Sequence, residues 1–351
     1  MNLSFKICII IPFYQRERGL LRRAVDSIVT QDYPGYCSII VVDDGSPVAA
    51  ESELSTFAGS NENFSVKIIT QANTGVGGAR NRALIEVDDD TDVVAFLDSD
   101  DTFAPGRLKT LEKAFQKGAD FFFSDTVRPD AALNSFRANL FFGDGIDTPA
   151  ERLADELYCY LGSFSDLVLT NCPFGTNSIA YRWKGRAHVR FPIGYKRACE
   201  DRVFAARLLS ISQTVVFSTA VDVELGVGIN IFASSSWGTE KSVVRLLDTA
   251  RFHSALKTEI SLDNAQNKRN DACLKSVDLE FMEANLVVLV KKKKFMPREF
   301  IQYLKIRPAF ALNAPMMIWR ILRNRANNKS SARFLTQSTH PETSSYDEGD
   351  A

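Results

Sequence analysis

Three carboxylates fall within four residues at Asp98-Ser99-Asp100-Asp101, directly after the apolar run Ala95-Phe96-Leu97. Repulsion makes such a cluster costly at the mouth of a sheet. A divalent cation with oxygen ligands is the simplest group that offsets it. The plainer account is a capping and turn cluster ahead of Pro105. A second acidic pair, Glu200-Asp201, opens a stretch of helical spacing. Acids cap and favour helix starts. The chemical alternative is a general base that deprotonates an acceptor hydroxyl. Only His188, His253 and His340 are present, and no Ser-His-Asp or Cys-His arrangement stands out.

Three further motifs follow apolar runs. Pro12-Phe13-Tyr14 sets an aromatic ring where it could stack on a nucleobase, or merely forms a turn. Val42-Asp43-Asp44-Gly45-Ser46 offers a carboxylate to a base N–H or a ribose hydroxyl, with a glycine for the sharp turn. Asp-Gly is also a common turn on its own. Asn73-Thr74-Gly75-Val76-Gly77-Gly78-Ala79-Arg80-Asn81 opens a helix with Gly-rich backbone, a suitable cradle for phosphate, and Arg80 adds positive charge. The pattern is neither a dinucleotide fingerprint nor a P-loop, which counts against hydride transfer and ATP hydrolysis.

The elements that carry these motifs alternate. Residues 7–11, 38–42, 65–70, 92–97 and 119–123 read as strands. Stretches 17–30, 77–87 and 105–117 read as helices, with Pro105 suited to a first turn. This alternation predicts an α/β fold, a mostly parallel Rossmann-like sheet with helices on both faces. Ligands of such sheets bind beyond the carboxyl ends of the strands, where every motif up to Asp101 lies. Residues 124–165 read as loops and short helices over the site. A strand at 179–183, a helix at 200–209 and a strand at 214–223 follow. From Trp237 the pattern is mainly helical.

The chain of 351 residues is 45% hydrophobic and 24% charged, an ordinary globular composition. Net charge is −1, yet residues 291–334 hold 12 Lys/Arg and a single acid, Glu299. Lys291–Lys294 with Phe295, and Met316–Arg325, mix cations with large apolar residues. They fit either an interfacial segment on an anionic leaflet or a basic helix packed on the α/β domain. Without a binding module, nucleic acid is not an expected partner. The six cysteines are scattered with no CxxC pair, as expected for reduced thiols in a cytosolic protein. Residues 6–11 are too short for a secretion signal, and no run reaches a membrane span.

Taken together, Ile10–Tyr14, Val42–Ser46, Asn73-x-Gly75, Ala79-Arg80-Asn81, Phe96–Asp101 and Glu200-Asp201 resemble the family 2 glycosyltransferases of the GT-A fold, over roughly residues 5–225. The resemblance implies an inverting transfer from a UDP-sugar assisted by Mg²⁺ or Mn²⁺. It implies that Pro12, Tyr14, Asp44, Asn73, Gly75, Arg80 and Asp98 line the donor site. Asp98 and Asp100 would meet the metal, Asp201 would be the base, and Glu200 a supporting acid. Arg16–Ala24, Gly175-Thr176-Asn177-Ser178, Gly228-Ile229-Asn230-Ile231 and Trp237–Glu240 look closer to bacterial succinoglycan-type glucosyltransferases. That subgroup implies glucose as donor sugar and a polyprenyl-diphosphate-linked oligosaccharide as acceptor, at the cytoplasmic face of the inner membrane.

The organisation expected is a catalytic domain over 1–235, a helical basic region over 236–334 and a disordered tail over 335–351. Two rivals remain. A sugar nucleotidyltransferase would need a Gly-rich basic signature where Pro12-Phe13-Tyr14-Gln15 stands. A non-catalytic nucleotide-sugar-binding protein would have no need of both acidic pairs.

Overall fold

Long β-branched runs with no polar alternation can be satisfied only by burial on both faces, and they build the centre of the molecule. A computed structural model describes residues 4–55, 62–169, 172–226 and 236–326. The segment Gly228–Ile231 and the expected tail lie outside the described residues. The strands are β1 (Ile7–Phe13), β2 (Cys37–Asp43), β3 (Phe64–Thr70), β4 (Val93–Phe96), β5 (Thr102–Phe103), β6 (Phe121–Val127), β7 (Ala150–Ala154), β8 (Leu157–Tyr160), β9 (Ile179–Arg182) and β10 (Val215–Glu224). They form one sheet in the order β3-β2-β1-β4-β9-β6-β10-β8-β7, with β5 against β10. Every residue of β1 and β4 is buried.

Eleven helices are described: α1 (Leu20–Val29), α2 (Ala50–Glu53), α3 (Val76–Ile85), α4 (Arg107–Gln116), α5 (Ser135–Ala138), α6 (Asp166–Leu169), α7 (Glu200–Ser210), α8 (Glu240–Glu259), α9 (Asn264–Lys292), α10 (Pro297–Ile306) and α11 (Ala309–Ala326). A short 3₁₀ turn covers Thr176–Ser178. Helix α1 buries Leu21, Ala24, Val25 and Ile28, the i, i+3, i+4, i+7 stripe that its sequence shows. Helix α4 begins one residue beyond Gly106, which takes a left-handed φ of 89°. Pro105 therefore precedes the helix and does not occupy its first turn.

Two features depart from the alternating pattern. Strand β9 lies antiparallel between β4 and β6, so the parallel order is interrupted at its centre. The region 124–165, expected as loops and short helices, also contains the antiparallel hairpin β7–β8, which extends the sheet from β10. Its two-residue turn, Asp155-Glu156, places Glu156 at φ 59°. A turn of that kind normally advertises itself with Asn-Gly or Asp-Gly.

The helices of the C-terminal region face two ways. Phe252, Leu256 and Ile260 of the α8 end join the core that contains Phe96, Phe191 and Phe204. Val243, Leu246, Phe281, Tyr303, Phe310 and Met317 form a second core between α8, α9, α10 and α11. No helix among the described residues is long and apolar enough to cross a membrane.

Candidate active site

The loops after β1, β2, β3 and β4 are tied to one another by short side chains and backbone amides. Asp44 amide donates to the Phe13 carbonyl (2.9 Å). The Gln15 amide donates to Ser46 Oγ (2.8 Å), and its side chain donates to Ser99 Oγ (3.1 Å). Asp43 accepts from the amides of Ser46 (2.7 Å) and Ala50 (2.8 Å) and so shapes its own turn. Asp44 is buried. Its Oδ1 accepts from Gln71 Nε2 (2.7 Å) and the Thr74 amide (2.8 Å), and its Oδ2 accepts from the Gly75 amide (2.8 Å). Asp44 thus fixes the Asn73–Gly75 loop ahead of α3. Gly75 takes φ 85°, a conformation that costs glycine nothing. Pro12 is buried at the end of β1, and Tyr14 just beyond it is 37% exposed.

The three acids after β4 divide by environment. Asp98 and Asp100 are half-buried, whereas Asp101 turns inward. Asp101 accepts from Asn177 Nδ2 and from the Gly226 amide (2.8 Å). Burial, then the charges of Asp98 and Asp100, push its carboxyl up to about 7. Gly226 must be glycine here, since a Cβ would sit 1.8 Å from the Asp100 carbonyl oxygen. That carbonyl also accepts from Arg23 Nη2 (2.7 Å).

Arg80 joins this edge to the second acidic pair. It is buried on α3, 5.3 Å from the Phe191 ring, and donates from Nη2 to Asp98 Oδ1 (2.7 Å). Its Nη1 lies 3.6 Å from Glu200 Oε1, an ion pair too long for a hydrogen bond. Buried Nε and Nη1 have no hydrogen-bond partner in the protein. Burial, followed by the neighbouring charge of Asp201, pushes the Glu200 carboxyl up to about 7, against the pull of Arg80.

An aromatic stack explains why α7 starts there. Phe96, two residues before Asp98, meets Phe191 at 5.5 Å and Phe204 at 5.7 Å, and Phe191 stacks on Phe204 at 3.8 Å. Such pairs add ~0.5–1.5 kcal/mol each beyond their burial. Asn81 exchanges hydrogen bonds with the Phe191 backbone, at 3.0 and 2.7 Å. Immediately before the helix, Cys199 holds a left-handed φ of 70°. Strained backbone of this kind persists where the surroundings hold it. Here Asp248 of α8 accepts from the amides of Lys196 and Arg197, both at 2.8 Å. Asp201 accepts from the Arg202 amide (2.8 Å) and borders a shallow concavity with Phe174, Gly175, Thr176, Ile179 and Ala205.

The structure therefore brings Asp44, Asn73, Gly75, Arg80, Asp98, Asp100, Glu200 and Asp201 to one edge of the sheet, with Tyr14 at its border. Sequence reading missed Asn81, Asp248 and the inward role of Asp101. Asn81 stood inside a quoted motif, but its partner is 110 residues away. Asp248 carries no local signal at all.

Among the described residues no group of three or more His, Cys, Asp and Glu forms a metal cage. Two half-buried carboxylates beside a buried arginine with unpartnered N–H groups suit a different arrangement. Mg²⁺ and Mn²⁺ accept one or two carboxylates and complete their shell with water and phosphate oxygens. The donor set of Asp98 and Asp100 fits such an ion.

An open sheet with acids and a glycine-rich helix start at its carboxyl edge, faced by a second acidic pair, defines a group-transfer enzyme of the GT-A fold. The profile described as Glycosyl transferase family 2 matches residues 8–181, and the chain belongs to that family: it is a glycosyltransferase. It is 34% identical over 232 residues to the succinoglycan biosynthesis protein ExoW of Rhizobium meliloti (strain 1021), covering 65% of this chain and 71% of that one. It is 28% identical over 147 residues to the GalNAc(5)-diNAcBac-PP-undecaprenol beta-1,3-glucosyltransferase of Campylobacter jejuni, covering 42% and 45%. Among solved structures, S. aureus TarS 1-349 in complex with UDP-GlcNAc superposes with a TM-score of 0.55 at 17% identity, covering 93% of this chain and 90% of that one.

Proposed function

We propose that this enzyme transfers a sugar, glucose in the first instance, from a UDP-sugar to a lipid-diphosphate-linked oligosaccharide with inversion, in exopolysaccharide assembly at the inner face of the membrane. The observation that carries the reading is the Asp98–Arg80–Glu200 bridge, which sets the donor acids and the acceptor acids on opposite sides of one buried guanidinium. The names of the relatives support the donor and acceptor classes: a succinoglycan protein, and a glucosyltransferase acting on an undecaprenol-diphosphate glycan. UDP-GlcNAc bound to TarS supports a uridine nucleotide.

In this reading Pro12 and Tyr14 flank the base. Asp44 Oδ2 still has a lone-pair direction for a base or ribose donor. Asn73 and Gly75 form the floor near the ribose and diphosphate. Asp98 and Asp100 would hold Mg²⁺ or Mn²⁺, which would offset charge on the diphosphate. Arg80 keeps Asp98 and Glu200 in place, and its unpartnered N–H groups add a positive field to the leaving side. Asp201 takes the proton of the acceptor hydroxyl. The hydroxyl oxygen forms its bond to the anomeric carbon as the bond to the UDP oxygen breaks on the opposite face. Glu200, whose carboxyl is pushed up to about 7 by burial and the charge of Asp201, stands beside the base as the supporting acid.

The test is UDP release from UDP-glucose with Mg²⁺ or Mn²⁺, with membrane lipid extract as the acceptor source. Release that needs both metal and extract is expected. Release of UDP that ignores the extract would show a hydrolase, and no binding of any nucleotide sugar would overturn the reading.

A further inference from the structure

Helix α11 carries more apolar surface than its own core uses. With 3.6 residues per turn, Phe310, Met317 and Ile321 fall on one face of α11, and all three are buried. Leu312, Met316 and Trp319 fall on the opposite face and are 84%, 63% and 59% exposed. Arg323 shares that face, its guanidinium 5.1 Å from the Trp319 ring. A single exposed leucine needs no explanation. A stripe repeated over three turns, opposite the packed face, marks a surface that meets something.

The end of α9 continues the pattern. Exposed Leu289 and Val290 run into Lys291–Lys294, all exposed, and then into exposed Phe295. Phe295 meets Phe300 at 5.7 Å, and Phe300 meets Phe310 in the first turn of α11 at 5.8 Å. The lysine turn and α11 are therefore neighbours. Residues 291–326 hold 10 Lys/Arg and one acid. Two of these cations are engaged inside the protein, Lys294 with Glu240 and Arg307 with Asp278.

We propose that this surface docks the enzyme on an anionic lipid bilayer. Leu312, Met316, Trp319 and Phe295 enter the headgroup boundary, while Lys291, Lys292, Lys293, Arg320 and Arg323 meet lipid phosphates. Charge decides against the other occupants. A second copy would set one strongly basic face against another. A nucleic acid would use the cations and leave the leucine and methionine stripe without a partner. Position also fits. Lys294 pairs with the first residue of α8, and Asp248, ~12 Å further along that helix axis, holds the loop ahead of Glu200. The inference deepens the lipid-linked acceptor reading by naming the surface that meets the membrane, and it is read out without turnover, so the two can fail separately.

The experiment is co-sedimentation of the full chain with phosphatidylcholine vesicles, with and without phosphatidylglycerol. Partition at least about tenfold stronger onto the anionic vesicles is expected, falling as salt is raised. In a Trp237→Phe background, where the only other tryptophan is the buried Trp183, the emission should shift to the blue on binding as Trp319 leaves water. The triple variants Leu312→Ser/Met316→Ser/Trp319→Ser and Lys291→Glu/Lys292→Glu/Lys293→Glu should each lose at least about tenfold in partition, the lysine variant about a hundredfold or more. Their melting curves should stay unchanged, because all six side chains face solvent. Equal partition onto neutral vesicles, or unchanged binding by both variants, overturns the proposal. So does a wild-type dimer that the serine variant dissociates, or an RNA that outcompetes the vesicles.

Discussion

The two walls of the site are held by different means. The proposed donor wall, from Pro12 to Asp101, consists of loops at the ends of parallel strands. Their spacing follows from the sheet, and short ties such as Asp44 to Thr74 and Gly75 finish it. The proposed acceptor wall, from Phe174 to Asp201, hangs on side chains from distant parts of the chain: the Phe96–Phe191–Phe204 stack, Asn81 and Asp248. The first wall is a frame whose geometry changes little without breaking the sheet. The second can be re-aimed by altering a few grips. Arg80 ties the two acidic groups together through its pairs with Asp98 and Glu200.

Substitutions can sharpen or break this contrast. The largest effects should come from Asp100→Ala and Asp201→Asn, each lowering transfer by about 10²–10⁴-fold in a UDP-release assay. Arg80→Met comes next. It leaves Asp98 and Glu200 facing each other without the cation, so transfer should fall about tenfold or more. Stability should drop by ~2 kcal/mol in urea unfolding, a figure discounted for the partial exposure of Asp98. If Arg80→Met changes neither, the two walls are not joined as described.

A smaller effect is expected of Asp248→Asn, which weakens the hold on the Lys196 and Arg197 amides. It should cost ~1–2 kcal/mol of stability and lower turnover severalfold, with donor affinity unchanged. The least effect on transfer is expected of His253→Gln, within the helical region. Burial pushes His253 down to about 4, against the hydrogen bond from its ring to Asn270. The unfolded chain therefore binds this proton at a higher pH than the folded one. Stability should be full above the ordinary pKa of 6.5 and decline as pH falls toward 4, by about 3 kcal/mol at most. His253→Gln should flatten that slope in pH-dependent unfolding and leave transfer at neutral pH intact.

The same contrast explains what could be read from the sequence. Strands β1 to β4 and helices α1 and α3 announce themselves by local periodicity, and the donor motifs sit at their ends. The antiparallel insertion of β9 does not, because its four residues look alike in either direction. The β7–β8 hairpin stayed hidden because Asp155-Glu156 lacks the usual turn chemistry. Arg107 on α4 is buried and pairs with Asp222, 115 residues away, while donating to Ser124 and the Ser178 carbonyl. No local pattern reports such a partner. The inward turn of Asp101 is likewise set by Asn177 and Gly226, which a reading of Asp98–Asp101 alone cannot supply.

The most direct test of the central claim is equilibrium binding of UDP-glucose, with Mn²⁺ or Mg²⁺, to the wild type, Asp100→Ala and Asp201→Asn. The account predicts that Asp201→Asn binds donor as the wild type does while Asp100→Ala binds it at least about tenfold more weakly. Equal loss in both variants, or none in Asp100→Ala, would contradict the division of the site into a donor wall and an acceptor wall.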